Sequence, residues 1–92
     1  MELVMDHTTF ERHRRTLDPE GEMEFAQDAN ALMSLITGEA RGRVRMIVTP
    51  LLEDQERKQL LGAIKHPTIA AVVPRTLRVD GRAIPYDLTM VT

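Results

Sequence analysis

The longest helical pattern of apolar residues lies between Asp18 and Gly38. Apolar side chains recur there at spacings of three and four, which places them on one face of a helix. The residues on this face are Phe25, Ala26, Ala29, Leu32, Met33 and Ile36. Asp18 suits the N-cap, Pro19 the first helical position and Gly38 the end. The pattern predicts a helix over residues 19–37 with its apolar face in the core.

A shorter helix is predicted before it. Asp6 can cap a helix over residues 7–16, on which Phe10 lies on the apolar side. This helix must end before Pro19, because the residue that precedes a proline is pushed out of the helical region. The two helices are therefore expected to form an αα-hairpin.

The middle of the chain predicts a strand followed by a third helix. Residues 41–49 alternate in a period of two, which is typical of a strand. One side of this strand would carry Val44, Met46 and Val48, and the other Arg43, Arg45 and Ile47. Pro50 then suits the first position of a helix over residues 50–65, which ends at His66 and Pro67.

The clearest β signal is a C-terminal hairpin. Asp80 and Gly81 tolerate the positive φ that both central positions of a type I′ turn need. Beyond the turn, alternate residues are apolar and are expected to face the core: Ile84, Tyr86, Leu88 and Met90. The residues between them are expected to face solvent: Pro85, Asp87 and Thr89. The two-residue turn predicts that Val79 pairs with Arg82, Leu77 with Ile84, Val73 with Leu88 and Ala71 with Met90.

Two details of this hairpin follow from its composition. Residues 69–73 either continue the strand that enters the turn or form a short helical turn after Pro67, and we favour the strand. Pro74 and Pro85 cannot donate to a ladder, so each is expected at a sheet edge or a bulge.

These elements predict a small α+β domain. An antiparallel C-terminal hairpin and one further strand would pack against three helices, in an order near α-α-β-α-β-β. The 92 residues are 42% hydrophobic, which is enough for one core and one domain.

Composition argues against several functions. The net charge of −2 provides no global attraction to nucleic acid or anionic membranes, and the chain has no cysteine. It also has no run of about 18 apolar residues. We expect a soluble, cytoplasmic protein.

Candidate catalytic chemistry is equally sparse. His7 and Glu11 could face one ion from a helix, but the sequence identifies no third ligand. Ser34 is the only serine and lies inside a predicted helix. The sequence therefore predicts no enzyme, metal site or cofactor.

Arginine is much more frequent than lysine in this chain, with ten residues against two. Arginine binds carboxylates and phosphates with a planar fork, and it is enriched in interfaces. The candidate interaction patch consists of Arg12, Arg14, Arg15, Arg43, Arg45, Arg78 and Arg82. We favour the interpretation that these side chains either pair with internal acids or remain solvated. They could also contact a protein or, with less support, track a phosphate backbone.

The function that these observations favour is a small non-enzymatic protein-binding module, of an adaptor or inhibitor type, that forms a homodimer. Its protein partner is not identified by the sequence, and no membrane partner is expected. The alternatives are a nucleic-acid-binding regulator that uses the arginines, and a structural subunit of a larger assembly such as a phage particle.

Overall fold

Four strands and four helices make up the described part of the chain, which is residues 3–38, 44–60 and 68–92 of a computed structural model. The helices are α1 (His7–Arg12), α2 (Arg14–Leu17), α3 (Ala29–Thr37) and α4 (Asp54–Lys58). The strands are β1 (Met23–Phe25), β2 (Met46–Pro50), β3 (Ile69–Val79) and β4 (Arg82–Val91). They form one mixed sheet in the order β1-β2-β4-β3, in which β1 and β2 are parallel. The α+β class is confirmed, but the expected order of elements is not, because β1 precedes α3.

The C-terminal hairpin has the predicted register. Asp80 has φ 49° and Gly81 has φ 76°, as a type I′ turn requires. The observed pairs include Val79 with Arg82, Leu77 with Ile84, Val73 with Leu88 and Ala71 with Met90. Strand β3 extends back to Ile69, with a register shift between Ile69 and Ala71. The strand interpretation of residues 69–73 is therefore confirmed.

Neither proline of this hairpin removes a hydrogen bond between β3 and β4. The residues that flank a two-residue turn form a hydrogen-bonded pair, and the two kinds of pair alternate from there. Counted from the pair of Val79 and Arg82, both Pro74 and Pro85 fall in non-hydrogen-bonded pairs. Their nitrogens therefore point away from the partner strand. The nitrogen of Pro74 faces the outer edge of the sheet, because β3 is an end strand. The nitrogen of Pro85 faces the side on which β2 lies, but β2 ends at Pro50, which pairs with Tyr86.

The predicted helix over residues 19–37 is wrong in its first part. Asp18 does not cap a helix, because its Oδ1 accepts a hydrogen bond from the N–H of Glu22 at 2.7 Å. This bond closes a turn in which Gly21 has φ 71°. Residues 23–25 then continue as strand β1, parallel to β2. The backbone N–H of Arg45 donates to the carbonyl of Glu22 at 3.0 Å, so pairing with a distant strand outweighs local helix preference here.

Helix α3 is the remainder of the predicted main helix. Asp28 is its N-cap and accepts a hydrogen bond from the N–H of Ala31 at 2.9 Å. Gly38 follows the last residue as C-cap, as predicted. Of the predicted apolar stripe, Leu32 and Ile36 are completely or almost completely buried on this helix. Phe25 belongs to β1 instead.

The first and third predicted helices are shorter than expected. The predicted helix over residues 7–16 is divided at His13 into α1 and α2, although Asp6 caps it by accepting from the N–H of Thr9 at 2.7 Å. Pro50 is the last residue of β2 rather than the first of a helix, and α4 begins at Asp54. The predicted end of that helix at residues 66–67 lies outside the described residues, as does the start of the predicted strand at 41–43.

Each face of the sheet carries a buried hydrophobic cluster. The successive residues Ile47 and Val48 of β2 point to opposite faces, and both have 0% exposure. Ile47 packs in a cluster with Leu32 of α3, and Val48 in a second cluster with Phe10 of α1. Strand β2 is therefore buried on both of its faces.

This architecture corrects the expected solvent face of β4. Asp87 and Thr89 were expected to face water, but both have 0% exposure, because they lie on the face that carries Ile47. Pro85 is exposed as expected. Conversely, Met90 lies on the expected core face but retains 37% exposure.

None of the helices within the described ranges has the length and apolar character needed to cross a bilayer.

Candidate functional site

Two of the candidate arginines meet at the turn end of the hairpin. Arg12 on α1 and Arg82 on β4 line one cavity of about 400 Å³, which we call the hairpin cavity. Its other polar lining residues are Thr9, His13 and Asp80. Its apolar lining residues are Leu3, Val79 and Ile84. The sequence places Arg12 on the first helix and Arg82 with the arginines of the strands, and the fold brings these two side chains to one cavity.

Arg14 has a packing role. Its guanidinium carbon lies 4.9 Å from the centre of the Phe10 ring, in cation–π geometry. Its Nη2 is also 3.6 Å from Oε1 of Glu11. The Phe10 ring in turn stacks on Phe25 at 6.0 Å between ring centres. Arg14 therefore covers the outer side of an aromatic pair and is not a free member of the patch.

The other arginines are dispersed. Arg15 is exposed on α2, and Arg78 is exposed on β3, on the face opposite to Arg82. Arg45 precedes β2, and its carbonyl accepts a hydrogen bond from the N–H of Val91 at the far end of β4. At about 3.3 Å per residue, β4 separates this end from Arg82 by about 30 Å. Arg43 lies outside the described residues. The six candidate arginines among the described residues thus do not form one continuous patch.

A second surface was not foreseen from the sequence. On the face of the sheet that α1 covers, Met46, Met90 and Ala71 form one cross-strand row at the end distant from the turn. Leu88 and Val73 pair in the next row. We call these five residues the methionine face. Met90 is 37% exposed and the other four are half-buried. The alternation of apolar and polar residues in β4 predicts this face, but it does not predict that Met90, near the end of the strand, is exposed.

Asp87 is the third feature that sequence reasoning missed. Its Oδ2 accepts hydrogen bonds from the N–H of Leu52 at 2.7 Å and from Nη2 of Arg57 at 3.0 Å. A buried carboxylate needs such partners, because an unpaired charge in the interior is very costly. This arrangement fixes the segment before α4 to the middle of β4. Its geometry is that of a structural connection.

Potential metal ligands and titratable side chains are the remaining candidates for chemistry among the described residues. No group of three or more potential metal ligands occurs among them. His7 and Glu11 are 3.7 Å apart on α1, with 72% and 47% of their side chains exposed, and they form a surface pair. Burial raises the pKa of Tyr86 above its ordinary value of 10.0, so its phenol is neutral at physiological pH.

Helix capping affects one carboxyl beside the hairpin cavity. The hydrogen bond from the backbone N–H of Thr9 holds the pKa of Asp6 below its ordinary value of 3.8. The positive charge of Arg12 acts in the same direction. Asp6 is therefore ionised at neutral pH and organises the start of the helix that supplies Thr9 and Arg12 to the cavity.

Comparisons with protein-family models, curated proteins and solved structures found no match to this chain. The functional argument therefore depends on the surfaces described above.

Proposed function

We propose that this protein is a small non-enzymatic protein-binding module that forms a homodimer through the methionine face. The observation that carries the proposal is the incomplete burial of this face, on which Met90 is 37% exposed and the other four residues are half-buried. Its five side chains are apolar and lie on three adjacent strands. On the same sheet face, Val48, Ile84 and Tyr86 are buried in the cluster that contains Phe10 of α1. An apolar patch of this kind is typical of an interaction site.

The composition of the methionine face suits contact with a second copy. A two-fold dimer brings the same patch of both subunits together, so any charge on it would meet a like charge. The face carries no ionisable side chain. Met46 and Met90 are flexible and can adapt to a facing surface, as methionines do in protein interfaces.

Edge-to-edge pairing of the sheets is less favourable. Strand β3 is at one end of the sheet and has 11 residues, which would make a long edge. Pro74 removes a donor from this outer edge, and Arg75 and Arg78 place positive charges along it. Prolines and charges of this kind protect sheet edges against pairing. A face-to-face dimer is therefore the better-supported arrangement.

Sedimentation velocity tests the proposal with two matched variants. We expect the unmodified protein to be dimeric at about 10 μM, within the usual affinity range of specific dimers. Met90→Glu should yield a folded monomer, because it places two carboxylates in the interface. Leu51→Glu is the control, since Leu51 is 51% exposed but lies outside the methionine face, and it should remain dimeric. A monomeric parent protein at about 1 mM, or a dimeric Met90→Glu variant, would refute the proposal.

The other two functions receive less support. A nucleic-acid-binding regulator would need a continuous basic track, whereas Arg45 and Arg82 lie at opposite ends of the sheet. A structural subunit of a larger assembly would need contacts that do not close on themselves. Light scattering that increases without limit with concentration would favour the assembly over the closed dimer.

A further inference from the structure

The hairpin cavity has the construction of a small-molecule site. Its volume of about 400 Å³ falls within the range of about 300–1,000 Å³ that is usual for ligand pockets. Ile84, which is 1% exposed, contributes to an apolar floor together with Leu3 and Val79. The polar side chains come from two separate parts of the chain, α1 with its C-cap residue His13, and the hairpin. The fold thus combines an apolar surface with a few polar groups, as ligand pockets do.

The charges around the cavity favour an anion. Arg12 and Arg82 both line it, and no carboxylate of the described residues lies within ion-pair distance of either guanidinium. Both side chains are exposed and keep their hydrogen-bond donors available. Thr9 adds a hydroxyl and His13 an imidazole. Asp80 is the single acidic group in the lining, against two guanidinium groups, so the lining itself has a positive balance. Asp6, whose pKa the charge of Arg12 lowers, is not a lining residue, and its Oδ1 accepts the backbone N–H of Thr9.

We infer that the hairpin cavity binds a small organic anion, with its phosphate or carboxylate group between Arg12 and Arg82 and its apolar part against Leu3, Val79 and Ile84. Guanidinium groups bind the oxygens of either anion with two parallel hydrogen bonds. Asp80 would accept a hydrogen bond from a hydroxyl or amino group of the same ligand. This inference is independent of the proposed homodimer, because the cavity and the methionine face lie at opposite ends of the sheet.

Phenyl phosphate is a suitable probe, since it combines both parts of the expected ligand. In ¹H–¹⁵N NMR titrations we expect saturable shifts at the amides of Thr9, His13 and Gly81. Inorganic phosphate should bind more weakly, because it lacks the part that contacts the apolar floor. Saturation by phenyl phosphate should occur below about 10 mM, and a titration that remains linear to that concentration would refute the inference.

Four variants locate the site. Arg12→Gln and Arg82→Gln should each weaken phenyl phosphate binding about ten-fold, the usual effect of losing one charge-assisted contact. Arg78→Gln is the matched control on the opposite face of the same hairpin, and it should bind as the parent does. Asp80→Asn keeps a residue that favours a type I′ turn but removes the negative charge, so it should tighten binding a few-fold. Equal weakening by Arg78→Gln, or weaker binding by Asp80→Asn, would overturn the assignment.

Discussion

Asp87 and Arg57 form an ion pair whose carboxylate has 0% exposure, with Oδ2 of Asp87 3.0 Å from Nη2 of Arg57. The pair joins the middle of β4 to α4, although the two residues are 30 positions apart in the chain. The same carboxylate also accepts the N–H of Leu52, so it holds the chain on both sides of the α4 start. Glu53, the N-cap residue of α4, makes no side-chain capping bond, so the start of α4 is held through Leu52 and Arg57 instead.

Removal of this carboxylate should destabilise the fold strongly. Asp87→Ala leaves the N–H of Leu52 without its acceptor and Arg57 without its buried partner. We expect a loss of about 2–4 kcal/mol in the free energy of unfolding, measured by urea denaturation. The control is Asp54→Ala, which removes the 92% exposed partner of Arg57 and should cost less than about 0.5 kcal/mol. Similar losses in both variants would show that the buried pair does not stabilise the protein.

The type I′ turn gives a second prediction. A Cβ atom at Gly81 would meet no heavy atom within 4 Å, so a substitution there acts through the backbone alone. Gly81→Val should cost about 1–2 kcal/mol, because φ 76° is unfavourable for residues with a side chain, and most of all for β-branched ones. Asp80→Asn should be nearly neutral, since asparagine also favours this turn. A thermal unfolding midpoint for Gly81→Val equal to that of the parent would contradict the turn assignment.

The features that the sequence predicts well are those fixed by neighbouring residues. The Asp80-Gly81 turn sets the hairpin register over its full length, and Asp6 caps its helix locally. The start of the main helix was mispredicted because Asp18 and Asp28 are both acceptable caps. Only the pairing of β1 with the distant β2 decides between them.

Burial of Asp87 could not be predicted for a similar reason. A strand that alternates between apolar and polar residues normally has one solvent face, and β4 follows that pattern. Its polar face is buried because α3 packs on that side of the sheet, in the cluster with Ile47, and because Arg57 of α4 contacts Asp87 there. Only the tertiary fold brings Arg12 and Arg82 to the same cavity. The composition of the chain does not show that these two arginines lie together while Arg45 lies at the other end of the sheet.

The observed start of α3 can be tested directly. Asp28→Ala removes the cap that accepts the N–H of Ala31, and should cost about 1 kcal/mol in stability. Pro19→Ala tests the alternative, a helix that begins at residue 19. Because Pro19 lies in an exposed turn before β1, this change should shift stability by less than about 0.5 kcal/mol. A larger loss of stability from Pro19→Ala than from Asp28→Ala would instead support a helix that begins at residue 19.

Capping by Asp6 predicts how stability depends on pH. The hydrogen bond from Thr9 holds the pKa of Asp6 in the folded state below 3.8, the value expected for the unfolded chain. The unfolded state therefore binds the proton more readily than the folded state does. The stabilisation that this cap supplies is complete above the unfolded pKa and is lost as the pH falls through the lower, folded pKa.

Asp6→Asn isolates this effect, because asparagine is also a good N-cap but does not titrate. At pH 7 the variant should retain most of the parent's stability. Between about pH 5 and pH 2 its free energy of unfolding should decrease less steeply than that of the parent. Urea denaturation of both proteins across this interval measures the difference. Parallel curves would mean that the bond between Asp6 and Thr9 is not linked to protonation, whereas convergence of the two curves at low pH supports the cap.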